Sequence, residues 1–452
     1  MSAARPGLGT AGRILSPRVQ LQALIVLAFL LGGGGVAYGL NNLAVQLFAL
    51  LLLAANGPAV GRFAVHAPFF LRLLVLLTLA LPLVQLVPLP PAIWQALPGR
   101  EAVLASHMLA GLGDGQWAAL SLDRSRTLTA FASLIVPATL IALGSTLSDA
   151  DKRALAWTAV ACGAAALVLG AVQLQGANTY GLLYPVDPGP NILYATFANR
   201  NSTGLFFVIG ACLALTLADP ARPRVLLAGG ILAVLLLIGA ILTQSRSSMV
   251  LTALPLALLL LRLIAFALRR GPRADRKVAA VGLFLALGGA LTLGAIAYSA
   301  AQGGRVADAI VRFEDRRTDR PEMWEDTLYA AGQYWPAGSG AATFDEVFQL
   351  HESLEYVSPR KAGRAHSDWL EVTLESGIAG LVLAAGWLLF VLFSSWQHLR
   401  RGPWWPGVGA GMAGIAIAAQ ALIDYPLRNQ TLLCMAGLLV VLLATRLREK
   451  AE

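Results

Sequence analysis

Apolar residues run through this chain in long blocks separated by short polar breaks. The blocks lie near residues 21–40, 42–56, 69–90, 127–147, 154–173, 202–218, 225–243, 248–268, 278–300, 376–395, 405–423 and 429–445. Each approaches the roughly 20 residues that a helix needs to cross a bilayer core. The pattern predicts an all-α polytopic membrane protein with about twelve transmembrane helices. Its organisation reads as a bundle of about nine spans over 1–300, a large polar loop over 301–375, and about three spans over 376–452.

A loop as long as 301–375 between membrane helices is expected to have structure of its own, and two helices are predicted in it. In DRPEMWEDTLYAAGQYW, Pro321 suits a first helical position, with Glu322 and Glu325 in the favourable N-terminal turn. Met323, Trp324, Leu328, Ala331 and Trp335 recur at near-helical spacing, which predicts an amphipathic face lying on the bilayer or on the bundle. PAGSG ends that helix. HSDWLEVTLESG opens the second, with His366 or Ser367 near its N-cap, Trp369, Leu370, Thr373 and Leu374 on one side, and Gly377 as a break or bend before the next span.

Composition agrees with this reading. The 452 residues are 57% hydrophobic and 13% charged, with a mean hydropathy of +0.67, where a soluble chain carries about a quarter charged residues. The net charge of +9 could suggest nucleic acid, but the charges follow topology. Basic clusters such as Arg13 and Arg18, Lys152 and Arg153, Arg269 to Lys277, Arg400 and Arg401, and Arg446 to Lys450 fall on every second connection. That alternation places both termini in the cytoplasm, and no aromatic interleaving points to a nucleic-acid surface. Cys162, Cys212 and Cys434 all fall inside apolar blocks without CxxC spacing, so they read as packing residues.

The arginines on the opposite face have no topological role, which makes them candidates for chemistry. Arg246 interrupts two apolar blocks in LTQSRSSM, beside Ser245, Ser247 and Ser248; a guanidinium so placed reads as a boundary residue or as an anion site. Arg320 opens the first loop helix behind Arg316 and Arg317, and guanidinium groups at a helix start make either a phosphate cradle or salt bridges to Glu314 and Asp319. Asn199, Arg200 and Asn201 in FANRNSTG form a third polar cluster, which is also explicable as an ordinary polar cap with Ser202 or Thr203. His366, Ser367 and Asp368 stand side by side, but three successive residues cannot converge as a triad. His366 at a helix start would be held neutral and able to take a proton, with Asp368 or Glu371 either orienting the ring or serving as solvated charges. No spacing of histidines and carboxylates suggests a metal site, and no cofactor is implied.

Together these segments resemble the O-antigen ligase superfamily, which includes O-antigen and exopolysaccharide polymerases. The resemblance covers roughly 195–385 and rests on FANRNSTG, LTQSRSS, RPEMWEDTLYAAGQYWPAGSGAATF and AHSDWLEVTLESGIAG. The third is similar to the family's Arg…Trp…Gly-x-Gly segment and the fourth to its His-Asn-x-x-Leu…Glu-x-Gly-x-x-Gly segment. The resemblance implies a GT-C-like membrane glycosyltransferase of the bacterial inner membrane, with its active site facing the periplasm. The implied donor is an undecaprenyl-diphosphate-linked glycan, and the acceptor is lipid A core or another lipid-linked glycan. It also implies that Arg246 and Arg320 engage the diphosphate and that His366 activates the acceptor hydroxyl. Asn199, Arg200, Asn201, Ser245, Trp324, Arg364, Asp368 and Arg428 are the candidate substrate contacts. Ser367 departs from the asparagine that is usual in the family.

A site built from Arg246, Arg320 and His366 could work without a metal. With no pair of carboxylates to suggest a double displacement, inversion by one direct displacement is expected. Ligase and polymerase remain alternatives; DYPLRN, with Asp424 and Arg428, is reminiscent of polymerase-like members, and a protein acceptor is a third option. A secondary transporter of a small anion or solute would share the span count, but the chain shows no clear internal repeat and its spans are almost free of charge.

Overall fold

The computed structural model describes residues 16–35, 38–175, 192–218, 222–270, 320–355, 362–400 and 404–445. The described residues are almost entirely helical, and one antiparallel pair of two-residue strands, Pro88–Leu89 with Ala118–Ala119, is present among them. In chain order the first helices are α1 (Pro17–Leu31), α2 (Gly39–Ala55), α3 (Gly57–His66), α4 (Phe69–Leu86), α5 (Pro91–Trp94) and α6 (Glu101–Leu109). Next come α7 (Arg124–Gly144), α8 (Asp149–Gln175), α9 (Arg200–Leu217), α10 (Pro223–Leu242), α11 (Arg246–Leu251) and α12 (Ala253–Arg270). The last are α13 (Arg320–Tyr334), α14 (Phe344–His351), α15 (Asp368–Arg400), α16 (Trp405–Gln420) and α17 (Gln430–Leu443).

The chain is an all-α polytopic membrane protein, with fewer full-length spans among the described residues than the twelve expected. Eight helical stretches are long and apolar enough to cross a bilayer, or nine if α2 and α3, bent by 80° at Asn56, act as one. The expected span 21–40 is shorter than its hydropathy suggests, because α1 stops at Leu31 and the glycine run turns the chain through a 3-10 segment, Gly32–Gly34. Helix α17 has 14 residues and α16 has 16. The expected span 278–300 lies outside the described residues, as do Arg316 and Arg317.

Helix α9 is the centre of the bundle. It is buried on nearly every face because α8, α10 and α16 all pack against it. Such all-round apolar character marks an internal helix rather than a lipid-facing one. A second group, in which α7 packs against α2, α4 and α17, joins it through α1 and α8.

Above one end of the bundle sits a smaller polar layer. Its core is Ala330, Ala331, Tyr334, Phe344, Val347, Phe348, Ala365 and Leu374. Residues 88–123 fold onto this layer instead of forming a plain connection. The guanidinium of Arg100, 1% exposed, donates to the carbonyls of Leu120 at 2.7 Å and Gly338 at 3.0 Å. The amide of Leu122 donates to Ser339 O at 2.8 Å.

The loop helices differ from expectation in two ways. Helix α14 was not expected at all. On α13 the buried line is Thr327, Ala330, Ala331 and Tyr334, while Leu328 and Trp335 of the expected face are exposed. The inward face is set by α14 and α15, which pack along the small residues Ala330 and Ala331.

Helix α15 breaks at Gly377, where φ is 52°. A side chain there would be strained by the left-handed backbone and would overlap the Pro336 carbonyl. The break divides a short polar segment, 368–376, from the membrane helix that follows it.

Candidate active site

Several helix starts and ends meet at the polar end of the bundle, and side chains cap four of the starts. Asn199 Oδ1 accepts the Asn201 amide at 2.8 Å, and Ser245 Oγ accepts the Ser248 amide at 3.3 Å. Ser367 Oγ accepts the Leu370 amide at 3.4 Å, and Asn429 Oδ1 accepts the Leu432 amide at 3.2 Å. These are ordinary N-caps, and they fix where the loops 192–201, 243–246, 362–368 and 421–429 leave the bundle.

Cross-links then hold the loops together. The Gln420 side chain donates to Asn201 O at 2.9 Å. The Asp368 amide reaches the carbonyls of Ala421 at 2.9 Å and Asp424 at 3.0 Å. The Arg320 guanidinium donates to Ile423 O at 2.6 Å, and the Trp324 indole donates to Ala365 O at 2.8 Å. Between them lies a cavity of about 400 Å³ whose lining includes Asn199, Arg200, Asn201, Arg320, His366 and Tyr425.

His366 occupies a wall of this cavity. Its Nδ1 lies 3.2 Å from Oδ1 of Asp424, which is buried, and its ring lies 5.0 Å from that of Tyr425. A carboxylate on Nδ1 selects the tautomer with the proton there and leaves Nε2 as the basic nitrogen. The His366 backbone is left-handed, with φ at 51°; the neighbouring loops carry Ala195 at 51° and Gln244 at 52°. Such residues cost about 1–3 kcal/mol each, and they gather where surrounding structure imposes a geometry.

The electrostatics of the site are set by few groups. Burial weakens the hold of Arg320 on its proton; Asp424 opposes this, the nearby charge of Arg246 adds to it, and Tyr425 opposes it. The Tyr425 hydroxyl is pushed up to about 12, first by burial and then by Asp424, although a hydrogen bond with the Asn199 side chain works the other way. Arg246 at the start of α11 is therefore within electrostatic reach of Arg320, and Arg320 lines the cavity together with His366. The arrangement can attract an anion and take up a proton in one place. Among the described residues, no group of three or more His, Cys, Asp or Glu side chains is placed to hold a metal ion.

The family model described as O-Antigen ligase matches residues 231–385. That match supports membership of the O-antigen ligase superfamily. A search of curated proteins finds no match. At the level of the family, the match supports a membrane glycan transferase, ligase or polymerase. The matched stretch contains Arg246, Arg320 and His366, whereas Asn199 to Asn201 and Asp424 to Arg428 lie outside it.

Several sequence-derived candidates, Arg246 among them, are outside the cavity lining. Arg428 sits in a buried cluster: its Nη2 lies 2.7 Å from Glu375, and its Nε lies 3.2 Å from Glu371 and 3.4 Å from Asp368. Arg364 lies 3.0 Å from Glu371. Asp368 also accepts the Leu427 amide at 3.0 Å. The solvated-charge reading of Asp368 and Glu371 is thus replaced by burial at 7% and 0% side-chain exposure. Of the two, neither touches His366 through a side-chain hydrogen bond; Asp424 does so instead. Ser245 is spent on its cap and on the Ser247 and Ser248 hydroxyls at 3.0 and 2.9 Å, and Trp324 is spent on Ala365.

Tyr425 and Glu375 were not anticipated, and Asp424 stood out only within DYPLRN, without a partner. For Glu375 a signal existed, since positions 368, 371 and 375 fall on one helix face. No local pattern could have paired Asp424 with a histidine 58 residues away.

Proposed function

We propose that this protein transfers a glycan from undecaprenyl diphosphate to an acceptor sugar hydroxyl at the periplasmic face of the bacterial inner membrane. In this reading 1–300 and 376–452 form the membrane bundle, 301–375 forms the periplasmic loop, and both termini are cytoplasmic. The observation that carries it is the cavity that places His366, backed by Asp424, beside Arg320, Arg200, Asn199 and Asn201. The family match supports the substrate class, and the alternation of basic connections supports the orientation.

The chemistry is a single displacement. His366 Nε2 removes the proton from the acceptor hydroxyl as its oxygen attacks the anomeric carbon, and Asp424 stabilises the imidazolium that forms. The bond from the anomeric carbon to the diphosphate oxygen breaks, and its electron pair leaves with undecaprenyl diphosphate. Arg320 and Arg246 meet the charge that grows on that leaving group, so their attraction is strongest in the transition state. The proton on His366 passes to the departing diphosphate or to solvent. The anomeric configuration inverts, and no divalent ion is required.

The test is turnover by purified protein in lipid vesicles containing the lipid-linked glycan and an acceptor, followed as released undecaprenyl diphosphate. Transfer with inversion in the presence of EDTA is expected. Replacing His366, Arg320 or Arg246 by alanine should lower turnover by at least about 10²-fold while insertion persists. Unchanged turnover in all three variants overturns the assignment.

A further inference from the structure

The proposed reaction needs two loops to stay in register: 192–201, which carries Asn199, Arg200 and Asn201, and 421–429, which carries Asp424 and Tyr425. Both are tied to a single atom. The carbonyl oxygen of Gly33 accepts the Ala198 amide at 3.1 Å and the Asn429 side-chain amide at 3.0 Å. A carbonyl offers two lone pairs, and here each site loop occupies one.

The local sequence is what permits this double attachment. Gly32, Gly33 and Gly34 are buried in the 3-10 turn that ends α1. A Cβ at Gly33 would overlap the Thr196 carbonyl, and one at Gly32 would come within 2.8 Å of the Thr431 amide. The turn is therefore wedged between the strained 195–198 stretch and the first residues of α17. Thr431 Oγ1 donates to Ala28 O at 2.6 Å on the α17 side. Phe197 packs on Phe206 at 5.3 Å, and Phe206 stacks on Phe29 of α1 at 5.8 Å. A side chain on either glycine would spread the two loops apart, and the cavity lies between them.

Resting on the function proposed above, we infer that the Gly32–Gly34 turn positions the active site, with the Gly33 carbonyl holding the donor-side loop and the Asp424 loop in one register. Gly33 touches no substrate in this scheme. It acts through the loops, so its loss should divide between binding and turnover according to which loop moves.

The experiment compares full-length protein carrying Gly33→Ala, Asn429→Ser or Gly39→Ala in nanodiscs, by hydrogen exchange and by steady-state transfer. Gly39 has open space around it and serves as the control. Gly33→Ala should speed exchange in peptides covering both 192–201 and 421–429. It should raise KM for the lipid-linked donor about tenfold and lower kcat about 10²-fold.

Asn429→Ser keeps an oxygen for the Leu432 cap but loses the donor to Gly33. It should loosen 421–429 alone and lower kcat with the donor KM unchanged. Wild-type exchange and kinetics in Gly33→Ala overturn the inference, and so does loosening of 192–201 alone. If Gly33→Ala does not insert, Asn429→Ser decides: wild-type exchange in 421–429 together with wild-type kcat overturns it. Exchange is read without any substrate, so absent transfer by the unaltered protein would refute the proposed function and still leave the role of the turn decided.

Discussion

Replacing Arg428 by methionine should destabilise the protein, and the size of the loss separates a structural arginine from a substrate contact. Asp368, Glu371 and Glu375 line one face of the first turns of α15, with side-chain exposures of 7%, 0% and 2%. Arg428 reaches all three from the turn before α17, and Arg364 adds a second cation at Glu371. Burial alone would weaken the hold of Arg428 on its proton, but Glu375, Glu371 and Asp368 together raise it well above the ordinary value. Methionine fills a similar volume and leaves the three carboxylates with only Arg364. Breaking a buried ion pair on one side costs about 3–5 kcal/mol, because the remaining charge stays desolvated. The midpoint of thermal inactivation in detergent should fall by roughly 3–5 °C.

Adding Glu375→Gln to that variant should recover a substantial part of the loss, since it removes the charge that Arg428 approaches most closely, at 2.7 Å. A substrate contact behaves oppositely. Arg428→Met would then raise the donor KM at an unchanged midpoint, and Glu375→Gln would bring no recovery. A midpoint shift under about 1 °C, near the effect of a surface change, would refute the view that this cluster holds α15 to the 421–429 loop.

Two further substitutions probe the site more locally. Asp424→Asn keeps the shape beside His366 and removes the charge, so kcat should fall about 10²–10⁴-fold with little change in donor KM; an unaltered kcat would show that His366 needs no carboxylate partner. Ser245→Ala removes the cap of α11 and should cost about 1 kcal/mol in thermal unfolding, with the donor KM unchanged, whereas a raised KM at constant stability would mean that the hydroxyl meets substrate.

How far the sequence could be read depended on the range of the interaction that fixes each feature. The apolar blocks announced the membrane helices, because a span must satisfy its own backbone and carry its own apolar surface. The helix start at Ser367 was legible from a capping residue beside an apolar run. The caps at Asn199 and Ser245 were not, since Ser202 or Thr203 was expected at the first and a donor beside Arg246 at the second. Helix boundaries came within a few residues of the blocks at α9, α10 and α12. The bend of α2 into α3 was hidden, since both halves are apolar and only their relative direction differs. Helix α14 was hidden as well, because eight residues carry too little periodicity to stand out. The face expected on α13, lying on the bilayer or on the bundle, is divided. Close packing against α14 and α15 admits Ala331 inward and turns the large residues Leu328 and Trp335 out.

The polar chemistry shows the same division more sharply. Arg246, Arg320 and His366 stood out singly, because a charge or an imidazole beside an apolar span needs a reason. Their partners did not, because partnership is a matter of tertiary distance. Asp368, Glu371 and Glu375 look like the solvated side of a helix until Arg428 is brought over them from 53 to 60 residues away. In a membrane protein such a cluster forms only where several elements cover it at once, since each charge is too costly to desolvate alone. That requirement explains its location. The helix starts converging at this end supply amides and guanidinium groups together, so the groups that lock the loops and the groups proposed to act on substrate occupy neighbouring layers of one polar region.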